Sequence, residues 1–138
     1  MGALTRRSVG AADSVLIEGY ASLFGVADSG GDVVRAGAFA RSLRRGGVPM
    51  LLQHRSGAVA GRWVRMIEDG RGLYVRGLVE GREVRGLIED GLDGLSIGFR
   101  PRVWTYLGAS GRTLADVDLV EVSLVAEPML SSARFHVV

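Results

Sequence analysis

The placement of glycine constrains the fold of this chain more than any other feature of its sequence. The 138 residues include 21 glycines and three prolines. The glycines separate short runs rich in leucine and β-branched residues instead of forming a repeat. Such punctuated runs are typical of strands joined by turns. Because the length fits one domain of ordinary size, the sequence predicts a single compact domain that is mainly β.

About seven segments have the composition and bounds expected of strands. The clearest of these are Ser14–Leu23, Met50–Gln53, Ala58–Glu68, Gly72–Val79, Gly94–Tyr106 and Leu114–Val125. Phe24–Asp32 is rich in glycine and aspartate and is predicted to be a loop. The carboxyl-terminal segment is ambiguous.

Two short helices are predicted between these strands. Apolar residues recur at intervals of three and four in Ala36–Arg45, with arginines on the other side, and Glu83–Asp90 forms the second helix. Many strands with few helices favour a closed or strongly curved β-barrel of about seven strands over a doubly wound sheet. Residues 1–13 are predicted to be a flexible amino-terminal arm, and residues 14–138 the single domain.

Composition and charge exclude several classes of protein. The chain has no cysteine and no lysine, so disulfides, thiolate nucleophiles and cysteine-based metal sites are excluded. Charged residues interrupt every hydrophobic run, and no membrane span or secretory signal is predicted. Its 17 basic residues, all arginine, nearly balance 15 carboxylates and are scattered along the chain. This distribution disfavours a dedicated nucleic-acid surface, and no metal or cofactor motif is present.

Two residues combine the chemistry of a nucleophile and a base. His54 follows an apolar run, where a strand would deliver it to the rim of a barrel, whereas His136 lies close to the chain end. Ser96 lies between Gly94 and Gly98, and alternation along a strand places all three on one face. Glycines there would let another backbone approach the hydroxyl. On spacing alone, a bend or bulge in the barrel explains these glycines better than a nucleophile does.

Glu121 interrupts an otherwise apolar strand, where a carboxylate is costly unless it is paired. One partner would be an imidazole that itself holds a serine, which would form a nucleophile, base and acid chain. An ion pair with one of the many arginines is the alternative.

Five ordered segments together resemble a known family. They are Ile17–Val26, Gly31–Val34 with Gly37–Phe39, Leu52–His54, Gly94–Phe99, and Leu119–Val125 with Pro128 and Met129. These segments resemble the prohead proteases of HK97-type tailed phages, related copies of which occur in prophages and gene transfer agents. The resemblance extends from Ile17 to about Ala133, nearly the whole chain. Prohead proteases are similar in fold to herpesvirus assembly proteases, which implies a curved β-barrel with surrounding helices.

The resemblance also implies a serine–histidine pair completed by a third residue. Ser96 matches the nucleophile and His54 the general base, and Glu121 is the expected orienting acid, with Asp118 and Glu127 nearby as alternatives. The turn Met129–Ser132 is expected to present amides to the oxyanion. Contacts to the oxyanion or substrate are accordingly expected at Met129, Leu130, Gly94 and Gly98.

By the same implication, the chain is a serine endopeptidase that removes a scaffolding segment from the major capsid protein, and cleaves itself. It would act inside the assembling prohead in the cytoplasm of a bacterial host, with a homodimer or higher oligomer as a further expectation. Two other readings remain open: a non-catalytic assembly or scaffolding module with the same barrel, and a β-barrel module that binds single-stranded nucleic acid.

Overall fold

The computed structural model describes residues 14–138, and the predicted arm at residues 1–13 lies outside this range. In the described residues the chain forms eight strands and two short helices, which confirms the mainly β prediction. The strands are β1 (Val15–Leu23), β2 (Asp32–Val34), β3 (Met50–Leu52), β4 (Val59–Glu68), β5 (Gly72–Val79), β6 (Gly94–Tyr106), β7 (Arg112–Val125) and β8 (Phe135–Val137). The helices are α1 (Ala40–Arg45) and α2 (Arg82–Glu89), and neither is long and apolar enough to cross a membrane.

Strand β7 is the centre of the sheet. Strand β6 pairs with it antiparallel along nearly its whole length. Strands β2 and β3 pair with it in parallel, β2 near its beginning and β3 near its end. From β3 the sheet continues through β4, β5, β1 and β8, each antiparallel to the one before. The site described below is built where β3, β7 and β6 lie side by side.

Strand β6, at one edge of the sheet, is hydrogen-bonded to the segment that leads into β8 at the other edge. The amide of Leu95 donates to the carbonyl of Ala133 (2.9 Å), and the amide of Phe135 donates to the carbonyl of Asp93 (2.8 Å). These hydrogen bonds join the beginning of β6 to the segment that enters β8. The sheet is therefore curled into the barrel-like form that the sequence predicted.

One hydrophobic core packs against this sheet. It is formed by fully buried side chains from β1, β3, β5, β6 and β7, together with Phe39 from the turn before α1; the largest are Phe39, Ile17, Met50, Leu73, Leu95, Leu114, Leu119 and Leu124. Each contributes about 1.5–3 kcal/mol relative to an exposed position. Successive residues of a strand point to opposite faces, and the same alternation turns Ser96 and Ser123 away from Leu95 and Leu124.

The structure differs most from the predicted elements at the first helix and at two short strands. The helix predicted over Ala36–Arg45 begins only at Ala40, because residues 36–39 form a turn in which Gly37 has a φ of 93°. The amides of Gly37 and Phe39 donate to the carboxylate of Glu68 (2.9 and 2.7 Å), a contact across 29 residues or more that local periodicity does not reveal. Strands β2 and β8, of three residues each, were not predicted because their partners define them.

Candidate active site

His54 lies in a tight turn that directly follows β3. Gln53 and His54 both have left-handed backbones, with φ of 53° and 60°, and this conformation costs a non-glycine residue about 1–2 kcal/mol. Strand β7 holds the turn in place. The amide of Gln53 donates to the carbonyl of Leu124 (2.9 Å), and the amide of His54 donates to Oγ of Ser123 (3.1 Å). Because the strained turn is fixed at two amides, it delivers the imidazole to a defined position.

Glu121 on β7 is the partner of this imidazole. Its Oε2 lies 2.6 Å from Nδ1 of His54, and its side chain is nine-tenths buried. A carboxylate accepts hydrogen bonds, so this contact favours the tautomer of the neutral imidazole in which Nδ1 carries the proton and Nε2 is the acceptor nitrogen. The arginine pairing weighed for Glu121 is therefore replaced by pairing with His54.

The alternative acid Asp118 serves a different part of the molecule. Its Oδ1 accepts from Nη2 of Arg41 on α1 (2.8 Å), and this hydrogen bond holds the pKa of the Asp118 carboxyl below its usual range. Glu127 is exposed beyond the end of β7. Of the three carboxylates considered from the sequence, Glu121 is the one in contact with His54.

Ser123, which the sequence analysis did not single out, joins these two groups. Its hydroxyl donates to Oε1 of Glu121 (2.6 Å) and accepts from the amide of His54 (3.1 Å), and the residue has no exposed surface. The clue was available: Ser123 is a second polar residue in an apolar strand, two positions from Glu121 and therefore on the same face. With Ser123 in place, both oxygens of the Glu121 carboxylate are hydrogen-bonded.

Ser96 lies across the β6–β7 pair from this network. The register places Ser96 directly opposite Ser123 and Gly98 directly opposite Glu121, so these four residues share one face of the sheet. Ser96 is 4% exposed, and its hydroxyl has no hydrogen-bond partner among residues 14–138. The structure therefore brings His54 and Glu121 into direct contact and places Ser96 on the same face, without a hydrogen bond from Ser96 to His54.

The two glycines beside Ser96 have specific neighbours. A Cβ on Gly98 would lie 2.1 Å from Oε2 of Glu121, and a Cβ on Gly94 would lie 2.5 Å from the carbonyl oxygen of Val125. The two glycines therefore do not leave open space beside the serine. At Gly98 the space is filled by the Glu121 carboxylate, and the strand pairing is irregular immediately after it, as the bend interpretation predicted.

A cavity of about 310 Å³ opens next to Ser96. Its walls are mainly apolar, and it is lined by Ala21, Val26, Val34, Leu95, Ser96, Ile97, Gly98, Phe99, Met129 and Leu130, with Ser22, Asp28 and Asp32 as further polar residues. Three of the four expected oxyanion or substrate contacts thus lie together, whereas Gly94 is outside the cavity. The amides of Met129 and Leu130 donate no hydrogen bond to any described residue. Among residues 14–138 no group of three or more side chains is arranged to hold a metal ion.

Comparison with known proteins places these features in a wider setting. The family model described as caudovirus prohead serine protease matches residues 3–138. The prohead protease of Enterobacteria phage HK97 is 37% identical over 124 residues, which cover 82% of this chain and 55% of that protein. The chain thus spans about half the length of this relative.

Among solved structures, the KSHV protease in complex with a hexapeptide phosphonate inhibitor is similar in fold. The TM-score is 0.60 at 11% sequence identity, over 91% of this chain and 65% of that one. The curled sheet is therefore an architecture that also occurs in a herpesvirus protease.

Proposed function

This chain belongs to the caudovirus prohead serine protease family, and from this premise we propose that it is a serine endopeptidase with Ser96 as nucleophile, His54 as general base and Glu121 as orienting acid. The observation that carries the proposal is the 2.6 Å contact between Nδ1 of His54 and Oε2 of Glu121, made on the sheet face that also bears the unpartnered hydroxyl of Ser96. An imidazole fixed in one tautomer, on the same sheet face as a serine that has no hydrogen-bond partner among residues 14–138, is suited to acyl transfer.

The proposed reaction proceeds in two stages. Nε2 of His54 takes the proton from Ser96 as its oxygen attacks the carbonyl carbon of the scissile peptide, and the imidazolium then protonates the leaving amine. Water repeats the sequence on the acyl-enzyme and releases the carboxylate product. Glu121 stabilises the imidazolium in both stages and does not itself become protonated. In the state described, Ser96 and His54 are not hydrogen-bonded, which is common before substrate binds.

The tetrahedral oxyanion requires donors near Ser96. The amides of Met129 and Leu130 are without a protein acceptor in the described range and belong to residues that line the cavity next to Ser96. We assign them the oxyanion contact. The apolar cavity that contains Gly98 takes a substrate side chain, while Gly94 contributes by letting Pro128 and β7 pack closely against β6.

The proposed substrate is the major capsid protein, from which the enzyme removes an amino-terminal scaffolding segment inside the assembling prohead, in the host cytoplasm. Cleavage of its own chain is part of the same proposal, as is activity that depends on self-association. The contrasting candidate is a non-catalytic assembly module with the same fold.

Co-expression with the major capsid protein from the same locus tests this proposal. We expect the intact mass of the capsid protein to fall by an amino-terminal segment with the wild-type chain. Ser96→Ala and His54→Ala should abolish this loss, and Glu121→Gln should slow cleavage roughly 10²- to 10⁴-fold.

The second histidine provides a matched control. His136 lies on β8 and contacts Glu18 (3.2 Å), away from the described network, so His136→Ala should cleave at the wild-type rate. Well-formed shells of uncleaved capsid protein with the wild-type chain would refute the protease and favour the assembly module.

A further inference from the structure

Ser123 closes a ring of interactions around the imidazole. The first hydrogen bond joins Nδ1 of His54 to Oε2 of Glu121 (2.6 Å), and the second joins Oε1 of Glu121 to Oγ of Ser123 (2.6 Å). The third joins Oγ of Ser123 to the backbone amide of His54 (3.1 Å) and closes the cycle. Both ends of the connection are therefore atoms of the same residue. The side chain of His54 contacts the Glu121 carboxylate, and its backbone amide contacts the Ser123 hydroxyl that binds the same carboxylate.

The direction of each hydrogen bond in this ring is forced. An amide N–H can only donate, and an ionised carboxylate can only accept. The single proton of the Ser123 hydroxyl must therefore point to Glu121, because its lone pair receives the His54 amide. Ser123 is fully buried, so no solvent competes for these bonds.

The position of Ser123 also matches the local strain. The His54 amide that it accepts belongs to the second of two consecutive left-handed residues, whose backbone relaxes toward more favourable angles unless it is held. Without the hydroxyl, that amide loses its acceptor and Oε1 of Glu121 loses its donor. Among residues 14–138, the imidazole is then the one hydrogen-bond partner left to the carboxylate, which is held less firmly about its last bond.

We infer that Ser123 is a positioning residue that fixes the orientation of the Glu121 carboxylate and the His54 turn relative to Ser96. This role rests on the proposed serine protease function, since it concerns the geometry of the same site. Ser123 does not touch the reacting atoms and acts through Glu121 and His54.

The chain offers a closely matched control. Ser42 on α1 is also fully buried; its hydroxyl donates to the carbonyl of Val117 (3.1 Å) and accepts from the amide of Leu119 (2.9 Å). It likewise bridges two groups with one hydroxyl, and it likewise contacts β7, but it lies away from His54. Ser42→Ala therefore removes one donated and one accepted hydrogen bond, as Ser123→Ala does, although the acceptor of Ser42 is a backbone carbonyl and that of Ser123 is a carboxylate.

The first measurement is the rate at which diisopropyl fluorophosphate modifies Ser96, followed by intact mass. We expect Ser123→Ala to slow modification 10- to 100-fold and Ser42→Ala to change it less than twofold. Ser123→Thr, which keeps the hydroxyl, should recover most of the rate. Equal rates for Ser123→Ala and Ser42→Ala would overturn the inference, as would a threonine variant that folds but is as slow as the alanine variant.

The second measurement follows the proton on Nδ1 of His54 by NMR and does not require activity. The wild-type chain should show a low-field proton signal from the His54–Glu121 hydrogen bond, assigned by its persistence in His136→Ala and its loss in Glu121→Gln. We expect Ser123→Ala to shift and broaden this signal, and Ser42→Ala to leave it unchanged; an unchanged signal in folded Ser123→Ala would overturn the inference. A wild-type chain that shows the signal but does not react at Ser96 would instead refute the proposed function.

Discussion

The contact between Gly98 and Glu121 is the feature on which the site depends most closely at the scale of single residues. The Glu121 carboxylate lies over the α-carbon of Gly98, in the space that a side chain would occupy. From there Oε2 reaches His54. Gly98 has no positive φ, so its backbone would accept another residue. A side chain is excluded at position 98 by the Glu121 carboxylate, and the glycine is therefore required by the candidate site rather than by the backbone.

Gly98→Ala should separate activity from stability. The new methyl group would lie 2.1 Å from Oε2, the end of a flexible side chain, so Glu121 can move away and the fold should survive. We expect the free energy of unfolding to fall by about 1–3 kcal/mol. Capsid-protein cleavage should fall roughly 100-fold or more, because the His54 contact is lost. Urea denaturation and intact-mass cleavage assays measure the two effects.

Gly86 on α2 provides the control for this substitution. A Cβ at Gly86 would meet no atom within 4 Å, and Gly86→Ala should stabilise the helix by about 0.5–1 kcal/mol without affecting cleavage. Cleavage by Gly98→Ala at the rate of the Gly86 variant would show that the carboxylate position is unimportant.

The sequence pointed to residues of the candidate site whose side-chain chemistry is unusual in their local context. It missed residues whose role depends on which strands lie next to each other. Glu121 stood out because a carboxylate interrupts an apolar strand. His54 and Ser96 stood out as the preferred histidine and as a serine between two glycines, and the family resemblance favoured catalytic roles for them. Ser123 was missed because a serine in a strand is common and its role depends on the His54 amide. The reason for Gly98 was also missed, since it lies in the cross-strand register with Glu121.

At the scale of elements, polar contacts hold α1 against β7. Arg41 contacts Asp116 and Asp118, and Ser42 bonds to the backbone of β7 on both sides of Asp118. With six residues, α1 is too short to be stable alone. The sequence predicted a longer helix because the apolar periodicity starts at Ala36. The helix begins later because Gly37 has a positive φ and its amide is hydrogen-bonded to Glu68.

Asp118→Asn should remove a part of the acid dependence of stability. The hydrogen bond from Arg41 lowers the pKa of Asp118 below its usual value near 3.8. The carboxylate therefore contributes stability above that pH, and the contribution is lost as the pH falls through the lowered pKa of the folded state. We expect Asp118→Asn to unfold at a lower temperature than the wild type at neutral pH, and the difference to shrink below about pH 4.

Arg41→Met removes the other partner and should show the same convergence with the wild type at low pH. Thermal unfolding followed by circular dichroism between neutral and acidic pH measures all three proteins. A difference that stays constant with pH would mean that the charge of Asp118 does not contribute.

At the scale of the whole molecule, the curled sheet depends on close backbone approaches where β1 meets β8. Gly19 pairs with Phe135, and a Cβ at Gly19 would lie 2.1 Å from the carbonyl oxygen of Arg134. The sequence predicted a curved or closed barrel from its many short strands. It did not reveal β8, a three-residue strand that pairs with β1 and forms one edge of the sheet.

Gly19→Ala should weaken the whole sheet without touching the site. The obstructing atom belongs to the backbone and cannot swing away, so we expect a loss of about 1–3 kcal/mol in the free energy of unfolding. Urea denaturation measures this loss, with the Gly86 variant again as control. At temperatures where the variant remains folded, the cleavage rate should match that of the wild type, and wild-type stability would show that β8 does not hold the sheet together.

The unpartnered hydroxyl of Ser96 also bears on how such a sequence changes under selection. The Ser96 hydroxyl is buried and has no hydrogen-bond partner among residues 14–138, and such a hydroxyl lowers the stability of the folded chain by about 1–3 kcal/mol. Alanine at this position would fold at least as well, so selection for stability alone opposes the serine. A lineage that no longer used the reaction would therefore gain stability by losing Ser96 first. His54 would persist longer, because removing it would take a hydrogen-bond donor from the buried carboxylate of Glu121.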